Sequence, residues 1–131
     1  MKMPPIDWSQ RTILRIYVAF HQSFPRNRFW HRYFGRSLGG DLLRAAKAQG
    51  IHQAILFHAR AGYLEKETIS HHFAETTPAK HPLCLELIDT PDMIQTFLVT
   101  NQQTLQETTT VLLHAEAFQQ IRMDKAPTNN P

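Results

Sequence analysis

The sequence predicts an α+β domain of element order β-α-β-β-α-β, with a four-stranded antiparallel sheet carrying two helices on one face. Three observations carry this prediction. Apolar residues alternate with period two at 12–20, 82–89 and 109–121; two segments between them carry helix start and stop residues; and 131 residues can bury one core but not two.

Residues 12–20 set Leu14, Ile16, Val18 and Phe20 against Ile13, Arg15, Tyr17 and Ala19, with β-branched and aromatic types dominating, which reads as a strand. Both faces are largely apolar. Helices of the same chain cover one face, so cover for the other is expected from a neighbouring subunit. Leu38, Leu42, Ala45 and Ala46 recur at helical spacing, with Ser37 as N-cap and Gly50-Ile51 as a glycine C-cap followed by an apolar residue. Upstream, Phe29, Trp30, Tyr33 and Phe34 share a helical side roughly 130° from that stripe, so one straight amphipathic helix cannot hold both and a break is expected near Gly35.

Residues 52–60, with Ile55, Leu56 and Phe57, read as the second strand. The polar stretch 62–81 that follows has little periodicity, and loops of this length inside a compact domain are usually functional or disordered. Residues 82–89 alternate as the third strand. Thr90 then caps a helix with Pro91 at its first position, carried by Ile94, Phe97 and Leu98. Residues 109–121 form the fourth strand. The expected division is an N-terminal extension at 1–11, a domain at 12–122 with a long loop at 64–80, and a polar tail at 123–131. Two split βαβ units of this order make a ferredoxin-like sheet.

Charge is unevenly placed. Residues 1–60 hold ten Lys/Arg and two Asp, a balance of +8, whereas the remainder holds four Lys/Arg and nine Asp/Glu, a balance of −5. Such asymmetry suits an anionic partner or oppositely charged faces meeting between subunits. The lone Cys84 cannot form an intramolecular disulfide, no signal-peptide pattern opens the chain, and no run approaches the ~20 apolar residues of a membrane span; a cytoplasmic protein without membrane insertion is expected.

No phosphate-cradling glycine motif, nucleophile elbow, HExxH or spaced carboxylate pair is present, so no catalytic residue is assigned and a non-enzyme is expected. His58, His71, His72 and His81 form the densest histidine region. They lack HxxxH spacing, so exposed loop histidines are favoured over a metal site. Arg26, Arg28, Arg32 and Arg36 interleave with Phe29, Trp30, Tyr33 and Phe34 in the manner of a nucleic-acid surface. The third strand lacks the stacking aromatics of the RNA-recognition fold, which favours packing or partner docking for this segment.

Leu14-Arg-Ile-Tyr17, Gly35 to Leu38, Ala48-Gln-Gly-Ile51, Ala54 to Gly62-Tyr63, Leu85-Glu-Leu-Ile-Asp-Thr90 and Ile121-Arg122 occur in the order seen in the PII superfamily. The chain resembles its branch of PII-like proteins of unassigned function. That resemblance implies a homotrimer, a small-molecule effector (nucleotide or anion) in clefts between subunits, and a mobile loop that engages a target such as a transporter or enzyme. It places ligand contacts at Arg60, Gly62 and Tyr63, where the second strand feeds the loop, and at Asp89 and Thr90, where free N–H groups of the second helix suit an anion. Within the loop, Ile69 and Phe73 are the apolar candidates for partner binding. The chain departs from PII proteins in the turn at 101–108, Asn-Gln-Gln-Thr-Leu-Gln-Glu-Thr, which lacks the glycines and lysine that hold nucleotide phosphates there. The alternatives are a CutA-like trimer binding divalent metal and a nucleic-acid-binding module.

Overall fold

The computed structural model describes residues 6–20, 37–72 and 78–120, with side chains between 9 and 116. Its elements are β1 (Ile6–Ala19), α1 (Leu38–Gln49), β2 (Gln53–His58), β3 (Ala61–Gly62), β4 (Ser70–His71), β5 (Pro82–Asp89), α2 (Pro91–Thr100) and β6 (Thr109–Gln120). The main sheet has strand order β2-β5-β1-β6 with every neighbouring pair antiparallel. This is the ferredoxin-like arrangement that the element order predicts.

Register divides the sheet into two unlike faces. Leu14 opposes Leu87, Ile16 opposes Leu85 and Val18 opposes Leu83, and all six are buried beneath the helices with Leu38, Leu42, Ile94 and Phe97. Burial of each such side chain contributes ~1.5–3 kcal/mol, which makes this layer the main source of stability. The other face carries Ile13, Ile88, Ile55, Phe57, Val111 and Leu113, and the last four of these stay substantially exposed. At its centre Arg15 Nε donates to Glu86 Oε2 at 3.0 Å.

The helix ends follow from local chemistry. Ser37 Oγ accepts from the Gly40 N–H at 3.2 Å, and Gly50 at φ 85° sends its N–H to the Lys47 carbonyl while the Ile51 N–H reaches Ala46, a Schellman closure. A Cβ at Gly39 would sit 3.4 Å from both Leu83 Cδ1 and Val18 Cγ2, so this glycine lets α1 lie close on the sheet. Thr90 Oγ1 accepts from the Met93 N–H at 3.3 Å, with Pro91 opening α2.

Three expectations are corrected. β1 begins at Ile6 rather than residue 12, because 6–11 pair with β6 from Gln120 to Ala115. The loop expected to be without secondary structure contains β4, which pairs with β3 (Ala61 with His71, Gly62 with Ser70); a two-residue strand offers no period to read. His81, grouped with exposed loop histidines, is fully buried. The basic aromatic segment 26–36, the break near Gly35, Phe73 and the tail 123–131 lie outside the described residues.

Cys84 sits in β5 opposite Tyr17 on the open face. Burial pushes its thiol up, Arg15's charge opposes this, Glu86 adds to it and the Tyr17 hydrogen bond lowers it, leaving the thiol above its ordinary value. A thiol so held is a poor nucleophile at neutral pH. Iodoacetamide at pH 7.5 should therefore modify Cys84 about tenfold or more slowly in the native protein than after denaturation, and oxidant should not cross-link folded chains. Equal rates would place this strand face in free solvent.

Candidate functional site

The base of the long loop is tied down by one buried side chain. His81 packs between the end of β2 and β4: its Nε2 bonds the Ala59 carbonyl and its Nδ1 lies 2.9 Å from Ser70 Oγ. A carbonyl can only accept, so Nε2 carries a proton, and the serine hydroxyl can serve Nδ1 as donor or acceptor. The backbone repeats the tie, because Phe20 N–H donates to the His81 carbonyl at 2.7 Å and His72 N–H donates to the Arg60 carbonyl at 2.9 Å. The rings of Phe20, His58, His72 and His81 follow one another at centroid separations of 5.7, 6.0 and 5.7 Å.

Three of these four histidines, His58, His72 and His81, thus meet, but not as a metal cage. Both nitrogens of His81 face protein partners, and among the described residues no group of three His, Cys, Asp or Glu is placed to hold a metal ion. Also among those residues, no helix is long and apolar enough to cross a membrane.

Beside this base lies a cavity of about 160 Å³ lined by Tyr17, Tyr63, Leu64, Glu65, Glu107 and Thr109. It joins three distant pieces of chain: the end of β1, the loop after β3, and the turn between α2 and β6. Glu65 sits at φ 51°, the only non-glycine with positive φ among the described residues. A left-handed residue of this type costs about 1 kcal/mol or more, and such strain clusters at ligand clamps and switch segments.

The predicted ligand residues separate into two groups. Arg60, Gly62 and Tyr63 gather at the loop base, where Arg60 is exposed, Tyr63 is 58% exposed and lines the cavity, and Gly62 belongs to β3. A Cβ at Gly62 would meet only Pro82 Cγ at 3.6 Å, an ordinary contact, so sterics do not demand glycine there. Asp89 and Thr90 lie at the far end of β5, about 23 Å away at ~3.3 Å per residue. Asp89 is buried, and its two oxygens accept from the His52 N–H at 2.7 Å and the Thr90 N–H at 2.6 Å. The Thr90 hydroxyl is occupied in capping α2. At that end a second cavity, about 460 Å³, is lined by Gln10, Arg11, Pro91, His114, Ala115 and Glu116.

Asp89→Asn keeps the shape but leaves one oxygen for two donors. One of the two N–H groups then loses its acceptor, and unfolding free energy should fall by ~0.5–1.5 kcal/mol in urea titration. An unchanged midpoint would show that water replaces the carboxylate oxygen.

Sequence reasoning missed Tyr17, Leu64, Glu65, Glu107 and Thr109 as cavity walls, and missed the anchoring part of His81. The only signal available was the His81-Pro82-Leu83 order, a histidine immediately preceding a buried strand.

No curated protein matches the chain by sequence. Among solved structures, CPII from Thiomonas intermedia K12 bound to ADP and bicarbonate superposes with a TM-score of 0.51 at 10% identity, covering 88% of this chain and 93% of that one. The same nitrogen regulatory PII-like protein bound to ADP, AMP and bicarbonate gives a TM-score of 0.51 at 10% identity, covering 88% and 92%. At such identity the likeness is one of fold. Residues 12–117 match the family described as DUF190, Uncharacterized ACR, COG1993, and the chain belongs to that family, with a PII-like fold.

Proposed function

We propose that the protein is a PII-like regulator acting in the cytoplasm: a homotrimer that senses a small ligand, nucleotide or anion, in clefts between subunits. It signals to a partner protein through the loop at 64–80, without catalysing a reaction. The observation that carries this reading is the cavity joining the loop base to the turn after α2. Its volume of about 160 Å³ falls below the ~300 Å³ at which small-molecule sites begin, which fits a site shared with a neighbouring subunit. A ligand there would touch Tyr63 directly and bias the segment that leaves it.

In this reading Arg60, Gly62 and Tyr63 form the loop side of the ligand site. Asp89 and Thr90 act at one remove, by fixing the start of α2. Ile69, 65% exposed beyond the cavity, offers an apolar contact to a partner, and Phe73 is assigned the same part. The exposed apolar sheet face supports assembly, since a patch of this kind marks an interaction surface. A CutA-like metal trimer has less support, because His81 already spends both ring nitrogens on the protein. The nucleic-acid alternative rests on segment 26–36 alone.

CPII is bound to ADP and bicarbonate, so these are the first ligands to test. Light scattering should give about three times the 15.2 kDa chain mass, and calorimetry with ADP and with bicarbonate should give saturable heat with at least one of them. Tyr63→Ala should weaken that binding about tenfold. A monomer that binds neither would overturn the proposal.

A further inference from the structure

Two consecutive residues grip the loop base. Lys80 Nζ donates to Glu67 Oε1 at 3.0 Å on the exposed side, and the fully buried His81 bonds Ser70 Oγ at 2.9 Å. Glu67 and Ser70 belong to one hairpin. In it Ala61 pairs with His71 and Gly62 with Ser70, the His72 N–H donates to the Arg60 carbonyl, and the Glu67 N–H closes a turn on the Leu64 carbonyl at 3.0 Å. That turn holds Glu65 at φ 51°. A side chain is disfavoured in this conformation because its Cβ crowds the following carbonyl oxygen, so the closed turn is strained while the contacts of Lys80 and His81 oppose its release.

We propose that residues 60–72 form a two-state element, in which the left-handed Glu65 favours opening and the grip of Lys80 and His81 favours closure. Opening returns Glu65 to negative φ and parts the two-residue strands while the main sheet stays intact. A two-residue ribbon, one exposed ion pair and one buried side chain are all that hold the closed form, so opening it costs far less than unfolding the sheet. The inference deepens the preceding reading and rests on it only for its consequence. Tyr63, on the cavity wall, and Ile69, exposed beyond it, lie in this one hairpin, so a ligand that binds the closed form and a partner that contacts Ile69 would act on the same equilibrium. Sensing and signalling residues then need no further connection.

The test is amide hydrogen exchange in the full chain without ligand, at the Glu67 and His72 amides, each corrected for its intrinsic rate, with Leu85 as the core reference. Glu65→Gly removes the Cβ and should slow exchange at both amides about two- to fivefold, the gain being limited by the greater freedom of glycine in the open state. Glu65→Val, β-branched, should speed both about fivefold or more. Lys80→Ala should speed both about two- to fivefold, and ~1 M sodium chloride should reproduce that change in the parent chain while adding little to the variant. Leu85 should keep its rate throughout. The proposal is overturned if Glu67 and His72 respond to different substitutions, if Glu65→Gly and Glu65→Val leave His72 unchanged, or if Leu85 changes in step with them, which would make the whole domain the opening unit. No ligand enters this measurement, so a failed titration with ADP and bicarbonate would remove the ligand reading and leave the two-state hairpin standing.

Discussion

His81→Ala is expected to lower the unfolding free energy by ~2–4 kcal/mol and the melting temperature by on the order of 10 °C. The imidazole is fully buried and joins the Ala59 carbonyl, 22 residues away, to the Ser70 hydroxyl, 11 residues away. Truncation leaves the half-buried Ala59 carbonyl without its donor and opens a void the size of the ring, and each effect costs ~1–3 kcal/mol. The damage should be local in character. β3 and β4 pair through two residues apiece, too few to persist without support, so hydrogen exchange at the His72 amide should rise far more than at Ile16 or Leu85 in the core. Uniform acceleration across β1 and β5 would mean that His81 stabilises the whole domain, whereas unchanged exchange at His72 would show that the ribbon holds without it.

The second large effect concerns the open sheet face. Phe57 and Leu113, 46% and 38% exposed, lie on that face on the two edge strands, and Phe57→Asp with Leu113→Asp would plant two carboxylates in the surface proposed to close the trimer. An uncompensated buried charge costs ~3–5 kcal/mol, against about −8 kcal/mol for a micromolar association, so dissociation constants should rise by at least a hundredfold. Light scattering should then move from about three times 15.2 kDa to the mass of one chain, with the fold retained by circular dichroism. The fold should survive because the substituted side chains point away from the Leu14, Leu85 and Phe97 layer. A variant that stays assembled would place the interface elsewhere. The Arg15–Glu86 pair at the centre of the face bears on the same question, since a neighbour would bury it and the cost of desolvating two charges would offset much of their attraction.

Much of the fold was legible because its signals are local. Ser37, Gly50, Thr90 and Pro91 act within one helical turn, so their capping could be read from residue types alone, and both helices begin where those residues place them. Alternation along 12–20 and 82–89 marked the strands, and the apolar character of both faces pointed to a surface in need of cover. The candidate site was much less legible. Tyr63 was singled out through the resemblance to PII-like proteins, whereas the walls opposite it come from β1 and from a turn over forty residues downstream.

What the amino-acid order determined by itself was the order of the two helices and the four strands of the main sheet, the helix starts and the buried face, all of which depend on neighbours one to four positions apart. Only the tertiary structure decided that β5 separates Asp89 and Thr90 from Arg60, Gly62 and Tyr63, and that Asp89 spends both oxygens on backbone donors, one of them 37 residues away. It likewise buried His81 while leaving His58, His71 and His72 at the surface. The physical reason is one of range: a period reports which face of an element is apolar, whereas the partner of a buried polar atom is chosen by chain segments that meet only after the sheet has closed.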